Sequence, residues 1–210
     1  MKIVIFGATG KTGTLLVEQA LNKGYEVVAY IRKRGPVFNG HPNLKIVVGR
    51  LNETLRMKDA ITGADACISA LGSGSLTHRS PDIVHGIGNI VSIMESAGVR
   101  RFIYMSSIGA GDSRLLIAQP SRFFVVNILL RVPIADHNAN EKRISSSNLN
   151  WTIIRPGVLT DGAITGSLKS GTDISPLKKS RSISRANVAS FILDQLSDET
   201  YLKKAAWLYE

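Results

Sequence analysis

The chain has 210 residues, of which 44% are hydrophobic and 20% are charged, as in an ordinary globular protein. This length suffices for one domain with a full core and is short for two, so we predict a single domain over residues 1–210. Every apolar run falls far short of the ~20 residues that cross a bilayer, and the single Cys67 excludes an internal disulfide. We therefore expect a cytoplasmic protein that does not bind membranes.

The chain is strongly basic, with 26 lysines and arginines against 16 aspartates and glutamates and a net charge of +10. A nucleic-acid partner would explain that charge, but the basic residues are dispersed and accompany no recognition helix, zinc knuckle or base-stacking motif. No group of His, Cys, Asp and Glu has the spacing of metal ligands. We therefore expect neither nucleic acid nor metal, and an anionic cofactor with an anionic substrate explains the charge better.

The first 24 residues combine a strand, a glycine turn and a helix. Ile3–Phe6 is an unbroken apolar run, which is typical of a parallel strand buried on both faces. Glycines follow with the spacing G-x-x-G-x-x-G, and apolar residues then recur at helical spacing until Gly24. This order predicts the beginning of a dinucleotide-binding fold.

Each glycine of the turn has a separate expected role. Gly7 allows a tight exit from the strand, Gly10 lets the backbone approach a pyrophosphate, and Gly13 lets the helix lie close to the sheet. The free amides and the positive dipole end of the helix would face the phosphates. Candidate side-chain contacts come from the residues between the glycines, namely the hydroxyls of Thr9 and Thr12 and the ammonium of Lys11. This lysine either supplies charge to the cofactor or points to solvent.

The second predicted strand, Glu26–Ile31, ends in the basic triplet Arg32, Lys33 and Arg34. NAD-selective sites place an acidic residue about 20 positions after the glycines, where it binds the ribose 2′-hydroxyl. Here Arg32 stands nineteen residues after Gly13. A cation at this position attracts a 2′-phosphate, so we predict NADP(H) as cofactor, with Arg32 as the main contact and the next two residues as helpers. A solvated basic loop is the alternative.

The rest of the chain alternates between strands and helices. The predicted elements are strands Leu44–Val48, Ala64–Ala70, Arg101–Ser107, Trp151–Pro156 and Ala205–Tyr209, and helices Glu53–Ile61, Pro81–Ala97 and Ser184–Leu196. Ser80 is placed to cap the second of these helices and Gly98 to end it, while residues 160–182 are predicted to be one long loop. This alternation predicts an α/β fold of the Rossmann type, a doubly wound, mainly parallel sheet with helices on both faces.

Two stretches are expected on the substrate side, residues 108–140 and 157–183. The first contains an unusually apolar run, 123–130, followed by Pro133, which is expected to stop any helix there. The apolar run could be a wall or lid of the acceptor pocket, a dimer contact or plain core, and the choice between monomer and homodimer stays open. Residues 71–75, a loop at the carboxyl end of a strand, either pass close to the cofactor or serve only as a linker.

Several short motifs together resemble the atypical short-chain dehydrogenases. They are GATGKTG from Gly7, VGRL from Val48, ALG from Ala70, YMSS from Tyr104 and RPG from Arg155. The chain is most similar to the NAD(P)H-binding group that contains biliverdin-IXβ reductase, also called flavin reductase, and the similarity extends over nearly the whole chain. The glycine motif is shared across the superfamily, whereas its combination with Arg32, the Asp136-His137 pair and the RPG motif is narrower.

The resemblance implies contacts for each part of the cofactor. The pyrophosphate would be held by the glycine turn with Thr9 and Thr12, and the 2′-phosphate by Arg32. Arg50 and Leu51 would lie beside the adenine, although the family often has an acidic residue in place of this arginine. Leu71 and Gly72 would line the path of the cofactor, while Met105, Ser106, Ser107, Gly157 and Val158 would surround the nicotinamide.

Two polar side chains are candidates for contact with the substrate. Ser107 matches the serine that faces substrate in the related reductase, and His137 coincides with a histidine present there. The second active-site histidine of that reductase is replaced by Val158 here, which argues against biliverdin as substrate. Alternatively, Ser107 only ends its strand and His137 is an exposed residue at a helix start.

The chain has no Tyr-x-x-x-Lys pair, in which lysine lowers the pKa of the catalytic phenol of ordinary short-chain dehydrogenases. Alcohol oxidation and sugar-nucleotide epimerisation are therefore disfavoured. Reduction of a flavin, quinone or similar planar acceptor requires mainly the alignment of two rings. We therefore expect an NADPH-dependent reductase with such a small-molecule acceptor, and a non-catalytic NADP(H)-binding sensor or partner protein is the alternative.

Overall fold

A mostly parallel sheet forms the centre of the computed structural model, which describes residues 1–33, 40–72, 75–117, 130–174 and 182–210. Its strands are β1 (Lys2–Phe6), β2 (Glu26–Ile31), β3 (Leu44–Val48), β4 (Ala66–Ser69), β5 (Arg101–Met105), β6 (Asn150–Pro156), β7 (Val158–Thr160), β8 (Lys169–Gly171), β9 (Ser182–Ser184) and β10 (Lys204–Tyr209). Eight of them form one sheet in the order β3-β2-β1-β4-β5-β6-β10-β8, and β7 pairs with β9 separately.

Helices cover both faces of this sheet. They are α1 (Lys11–Asn22), α2 (Thr54–Ile61), α3 (Pro81–Ala97), α4 (Arg131–Ser145) and α5 (Arg185–Asp194), with a short 3-10 helix at Gly111–Leu116. One core layer contains the buried residues of α1 and α5, and the other contains those of α2, α3 and α4. The Rossmann-type architecture predicted from the sequence is therefore confirmed.

The strand order reverses direction next to β1. From β1 the chain builds outward to β2 and β3 on one side, and to β4, β5 and β6 on the other. In such sheets the crevice beyond the carboxyl ends of the two strands at the reversal is the usual ligand site. The fold thus places the residues that follow β1 and β4 at the most favourable position for a nucleotide.

The stretch 160–182 was predicted to be one loop, and that prediction was wrong. β7 pairs with β9 in parallel, and β8 pairs antiparallel with β10, with Gly171 opposite Trp207. Each of these three strands has only three residues, which is too short for a visible alternation of apolar and polar side chains. All three strands also pair with partners more than twenty residues away in the sequence, so local patterns carry little information about them.

Two expectations about helix ends were also wrong. Pro133 lies in the first turn of α4, where its missing amide proton would have no partner within the helix anyway. Ser80 stands before α3, but its side chain makes no capping hydrogen bond, and its backbone amide donates to Asp136 Oδ2 at 2.9 Å. By contrast, the left-handed glycines predicted to follow α1 and α3 are confirmed, with φ of +77° at Gly24 and +72° at Gly98.

Some predicted features fall outside the described residues. They are Arg34, the middle of the loop 71–75 and nearly all of the apolar run 123–130. Their expected roles, including the choice between pocket wall, dimer contact and core, stay predictions.

Candidate functional site

A cleft of about 730 Å³ opens at the carboxyl ends of β1 to β4, where the strand order reverses. Its walls come from the glycine turn, residues 30–32 after β2, residues 49–52 after β3, residues 70–72 after β4, and one side of α3. The sequence analysis assigned four of these five segments to the cofactor. It missed α3, which contributes Asp82, His85 and Asn89 to the cleft. These residues are three and four positions apart, a spacing that places them on one face of the helix.

The glycine turn is tight because two of its glycines leave no room for a side chain. Gly7 has φ of +78°, and an added Cβ there would lie 2.8 Å from the carbonyl of Ala70. A Cβ on Gly13 would lie 2.0 Å from the carbonyl oxygen of Gly7. Gly7 therefore makes the expected tight exit from the strand. Gly13 lets the helix approach closely, as expected, but what it approaches is the backbone of the turn at Gly7.

The N-terminus of α1 lies in this turn and fits an anionic group. Gly10 is its N-cap residue and provides no capping side chain, and the first turn of the helix contains no acidic residue. The first amides of a helix have no partner within it and carry its positive dipole end, so they are available to a pyrophosphate. Thr9 lines the cleft, whereas Thr12 is buried on α1 and Lys11 forms an exposed ion pair with Asp161 at 3.3 Å.

The loop after β3 is fixed by three hydrogen bonds. The hydroxyl of Tyr30 donates to the carbonyl of Arg50 at 2.9 Å, and the amide of Asn89 donates to the carbonyl of Leu51 at 2.9 Å. The backbone amide of Arg50 donates to Glu53 at 2.8 Å. Burial raises the pKa of the Tyr30 phenol, which keeps it a neutral donor. Arg50 and Leu51 therefore line the cleft from a fixed backbone, on the side where adenine is expected.

The basic end of β2 lies at the same cleft. Arg32 is exposed and lines it, whereas Lys33 is exposed outside the lining residues. Leu71 and Gly72 line the cleft as well, at the end of β4. The structure thus brings Arg32 and Arg50 to the same cleft as Leu71 and Gly72, although these positions are far apart in the sequence.

The residues expected near the nicotinamide lie beyond these walls, at the carboxyl ends of β5 and β6. Their environments differ, because Met105, Ser106 and Gly157 are buried, Ser107 is half-buried and Val158 is 56% exposed. Among the described residues, the hydroxyl of Ser107 donates to the neighbouring carbonyl of Ile108, at 3.2 Å. Its predicted contact with an acceptor stays a prediction, as does the role of the other four.

His137 lies in the second turn of α4 and is half-buried, so the alternative of an exposed residue at a helix start was wrong. Its Nδ1 lies 2.8 Å from the hydroxyl of Tyr104, which accepts a hydrogen bond from the Asn140 amide at 2.9 Å. The hydroxyl of Tyr104 therefore links His137 to Asn140.

Burial shifts the pKa values of both members of this pair. It lowers the pKa of His137, although the nearby carboxylates of Glu141 and Asp136 act in the opposite direction. It raises the pKa of Tyr104 far above the usual range for a phenol. Both groups are therefore held neutral at physiological pH.

A buried ion pair lies one helical turn further along α4. Glu141 accepts from Nη2 of Arg155 at 2.7 Å and from the hydroxyl of Ser106 at 2.5 Å. Arg155 also contacts Asp112, and these two carboxylates raise its pKa although burial acts to lower it. The sequence analysis missed Glu141 and Tyr104. Glu141 follows His137 by four residues, which places both on one helix face and was a usable signal.

Comparison with known proteins identifies the family. A family model described as NAD(P)H-binding matches residues 7–199. The chain belongs to this NAD(P)H-binding family. The membership and the pyridine nucleotide predicted from the sequence are thereby confirmed at the level of the family.

Individual members and structures resemble the chain to different extents. An uncharacterised chloroplastic protein of Arabidopsis thaliana is 34% identical over 178 residues, which cover 80% of this chain but only 62% of the plant protein. The crystal structure of the oxidoreductase YlbE from Lactococcus lactis superposes with a TM-score of 0.81 at 25% identity and covers 100% of this chain and 91% of that one. ChuY, an anaerobillin reductase from Escherichia coli O157:H7, superposes with a TM-score of 0.79 at 23% identity, covering 100% and 97%.

Three remaining expectations concern membrane-spanning helices, metal sites and the single cysteine. No helix in the described part of the chain is both long and apolar enough to cross a membrane. Within those same residues, no three side chains of His, Cys, Asp or Glu form a group that could hold a metal ion. Cys67 is fully buried in β4, and burial raises the pKa of its thiol, as expected of a core residue.

Proposed function

We propose that the protein is an NADPH-dependent reductase that transfers hydride to a flavin, a quinone or a similar planar conjugated acceptor. Membership of the NAD(P)H-binding family supports the nucleotide, and the exposed Arg32 at the cleft supports the phosphorylated form of it. When bound, the nicotinamide supplies the hydride. The likeness to an oxidoreductase and to a reductase supports the reaction class.

The observation that carries this proposal is the state of the phenol at the end of β5. Alcohol dehydrogenation needs a phenol whose pKa is lowered, so that it can exchange a proton with the substrate oxygen. The pKa of Tyr104 is instead raised by burial, and its hydroxyl is hydrogen-bonded to His137. A planar conjugated acceptor suits this site, since hydride transfer to it can be followed by protonation from solvent.

The chain's own residues would then have distinct tasks. The amides at the start of α1 bind the pyrophosphate and Arg32 binds the 2′-phosphate, which fixes the position of the nucleotide. The half-buried Ser107 donates a hydrogen bond to the acceptor. His137, whose Nδ1 is hydrogen-bonded to the hydroxyl of Tyr104, would be a second polar contact for the acceptor.

Anaerobic oxidation of NADPH and of NADH with FMN, FAD, riboflavin and simple quinones tests the proposal. We expect turnover with at least one acceptor and a preference for NADPH. Ser107→Ala should reduce turnover while leaving NADPH affinity unchanged, and Ser145→Ala, an exposed serine of α4, should change neither. Tight NADPH binding without oxidation across the whole panel would contradict the proposal and favour the non-catalytic sensor.

A further inference from the structure

Arg32 and Arg50 leave neighbouring strands at the same edge of the sheet. Ile31 is the register partner of Val48, and the amide of the next residue, Gly49, donates to the carbonyl of Ile31 at 2.9 Å. Neighbouring strands lie about 4.8 Å apart, so the two arginines start from adjacent points. Both side chains are exposed and line the cleft.

Neither guanidinium has a carboxylate partner among the ion pairs of the described residues. The acidic side chain closest in sequence to Arg50 is Glu53, which accepts its backbone amide and pairs with Arg56 at 3.4 Å. Asp82, on α3, is the one carboxylate among the described residues that line the cleft. Two like charges therefore face one space with little compensation, an arrangement that an anion between them makes favourable.

The backbone that carries Arg50 is held in place on both sides. Tyr30 and Asn89 bind the carbonyls of Arg50 and Leu51, and Leu51 packs so closely on Gly86 that an added Cβ there would lie 2.6 Å from it. A fixed backbone reduces the entropy lost when the arginine orders on a ligand. The position is therefore prepared for binding before any ligand arrives.

We propose that Arg50 is a second 2′-phosphate-binding residue, and that it sets the preference for NADPH jointly with Arg32. This inference rests on the proposed use of NADPH. A phosphate monoester has three terminal oxygens, enough to accept hydrogen bonds from two guanidinium groups at once. The adenine rings of NADPH and NADH are identical, so a residue that contacted adenine alone would not distinguish the two nucleotides.

Isothermal titration of the purified protein with 2′,5′-ADP and with ADP tests this assignment, because the two ligands differ by the 2′-phosphate. Arg50→Ala should weaken 2′,5′-ADP binding by roughly tenfold or more and leave ADP binding within about twofold. Arg32→Ala should act in the same way. Arg100→Ala is the matched control. It removes an exposed arginine immediately before β5, at the amino ends of the strands and therefore away from the cleft at their carboxyl ends.

The outcomes separate this inference from the proposed function. Equal weakening of both ligands in Arg50→Ala would assign the residue to the adenosine, and unchanged binding of both would remove it from the site; either result overturns the inference. If the unmodified protein itself binds the two ligands equally, the preference for NADPH fails, and this inference fails with it. A clear preference that Arg32→Ala abolishes and Arg50→Ala preserves overturns the role of Arg50 alone.

Discussion

Arginines of this chain that look alike in the sequence have different surroundings in the fold. Arg32 and Arg50 are exposed at the cleft, whereas the side chain of Arg155 is 7% exposed and paired with two carboxylates. A guanidinium without a partner is available to an anionic ligand, while one already paired is part of the framework. The same residue type is therefore available to a ligand in one place and part of the framework in another.

Removal of the Arg32 guanidinium should reduce affinity for NADPH selectively. We expect Arg32→Ala to cost about 1.5–3 kcal/mol of NADPH binding free energy, the typical worth of a hydrogen bond to a charged group. NADH, which lacks the 2′-phosphate, should be barely affected. Fluorescence titration of both nucleotides measures this difference, and an equal loss for the two would contradict the assignment.

The half-buried imidazole of His137 should make stability depend on pH below neutrality. Burial lowers its pKa below the 6.5 of an ordinary histidine. As pH falls through that ordinary value, the unfolded chain gains a proton that the folded protein does not, so the free energy of unfolding decreases until the folded-state pKa is reached. Urea denaturation at pH 7 and pH 5 should show a larger loss for the unmodified protein than for His137→Gln. Parallel profiles would show that His137 does not titrate in this way.

At the scale of single elements, local signals predicted α2, α3 and α5 well, gave no bounds for α4, and predicted the shortest strands poorly. The bounds of α3 agree with those expected, because Pro81 and Gly98 mark its two ends. The N-cap side chains were less predictable, since Ser184 accepts from the amide of Asn187 at 3.1 Å while Ser80 makes no such bond. Whether a serine caps a helix depends on its rotamer and its neighbours, which the sequence pattern does not specify.

These two serines form a matched pair for a test of capping. Ser184→Ala should lower the free energy of unfolding by about 1 kcal/mol, because it removes the cap of α5. Ser80→Ala should change stability by less than about 0.5 kcal/mol, since its recorded hydrogen bonds are made by its backbone amide and carbonyl. Urea denaturation of both variants gives the comparison, and equal effects would argue against the capping role of Ser184.

At the scale of the whole molecule, two functional regions share one edge of the sheet. The cleft proposed for the nucleotide lies beyond β1 to β4, and the Tyr104–His137 pair and the Glu141–Arg155 pair lie towards the ends of β5 and β6. Glu141 joins three elements, because it belongs to α4, accepts from Ser106 after β5 and pairs with an arginine of β6. This ion pair therefore holds α4 against the strand ends where the acceptor is expected.

Breaking that ion pair should be costly for the whole fold. Glu141→Ala leaves the guanidinium of Arg155 buried beside only one carboxylate, so we expect a loss of about 3–5 kcal/mol in the free energy of unfolding. The neighbouring Lys142→Ala, at an exposed position, should change it by less than about 0.5 kcal/mol. Denaturation curves for the two variants test this, and a small effect of Glu141→Ala would show that Asp112 and solvent compensate the charge.

The sequence by itself determined the fold class and four of the five segments that line the cleft. Apolar runs, glycine spacing and the cation after β2 are local signals, because a buried parallel strand and a tight turn each restrict the residue types at neighbouring positions. The tertiary structure alone decided the three-residue strands, the pairing of Tyr104 with His137 and the ion pair of Glu141 with Arg155. Such contacts join residues far apart in the chain, and their geometry follows from how the helices pack on the sheet.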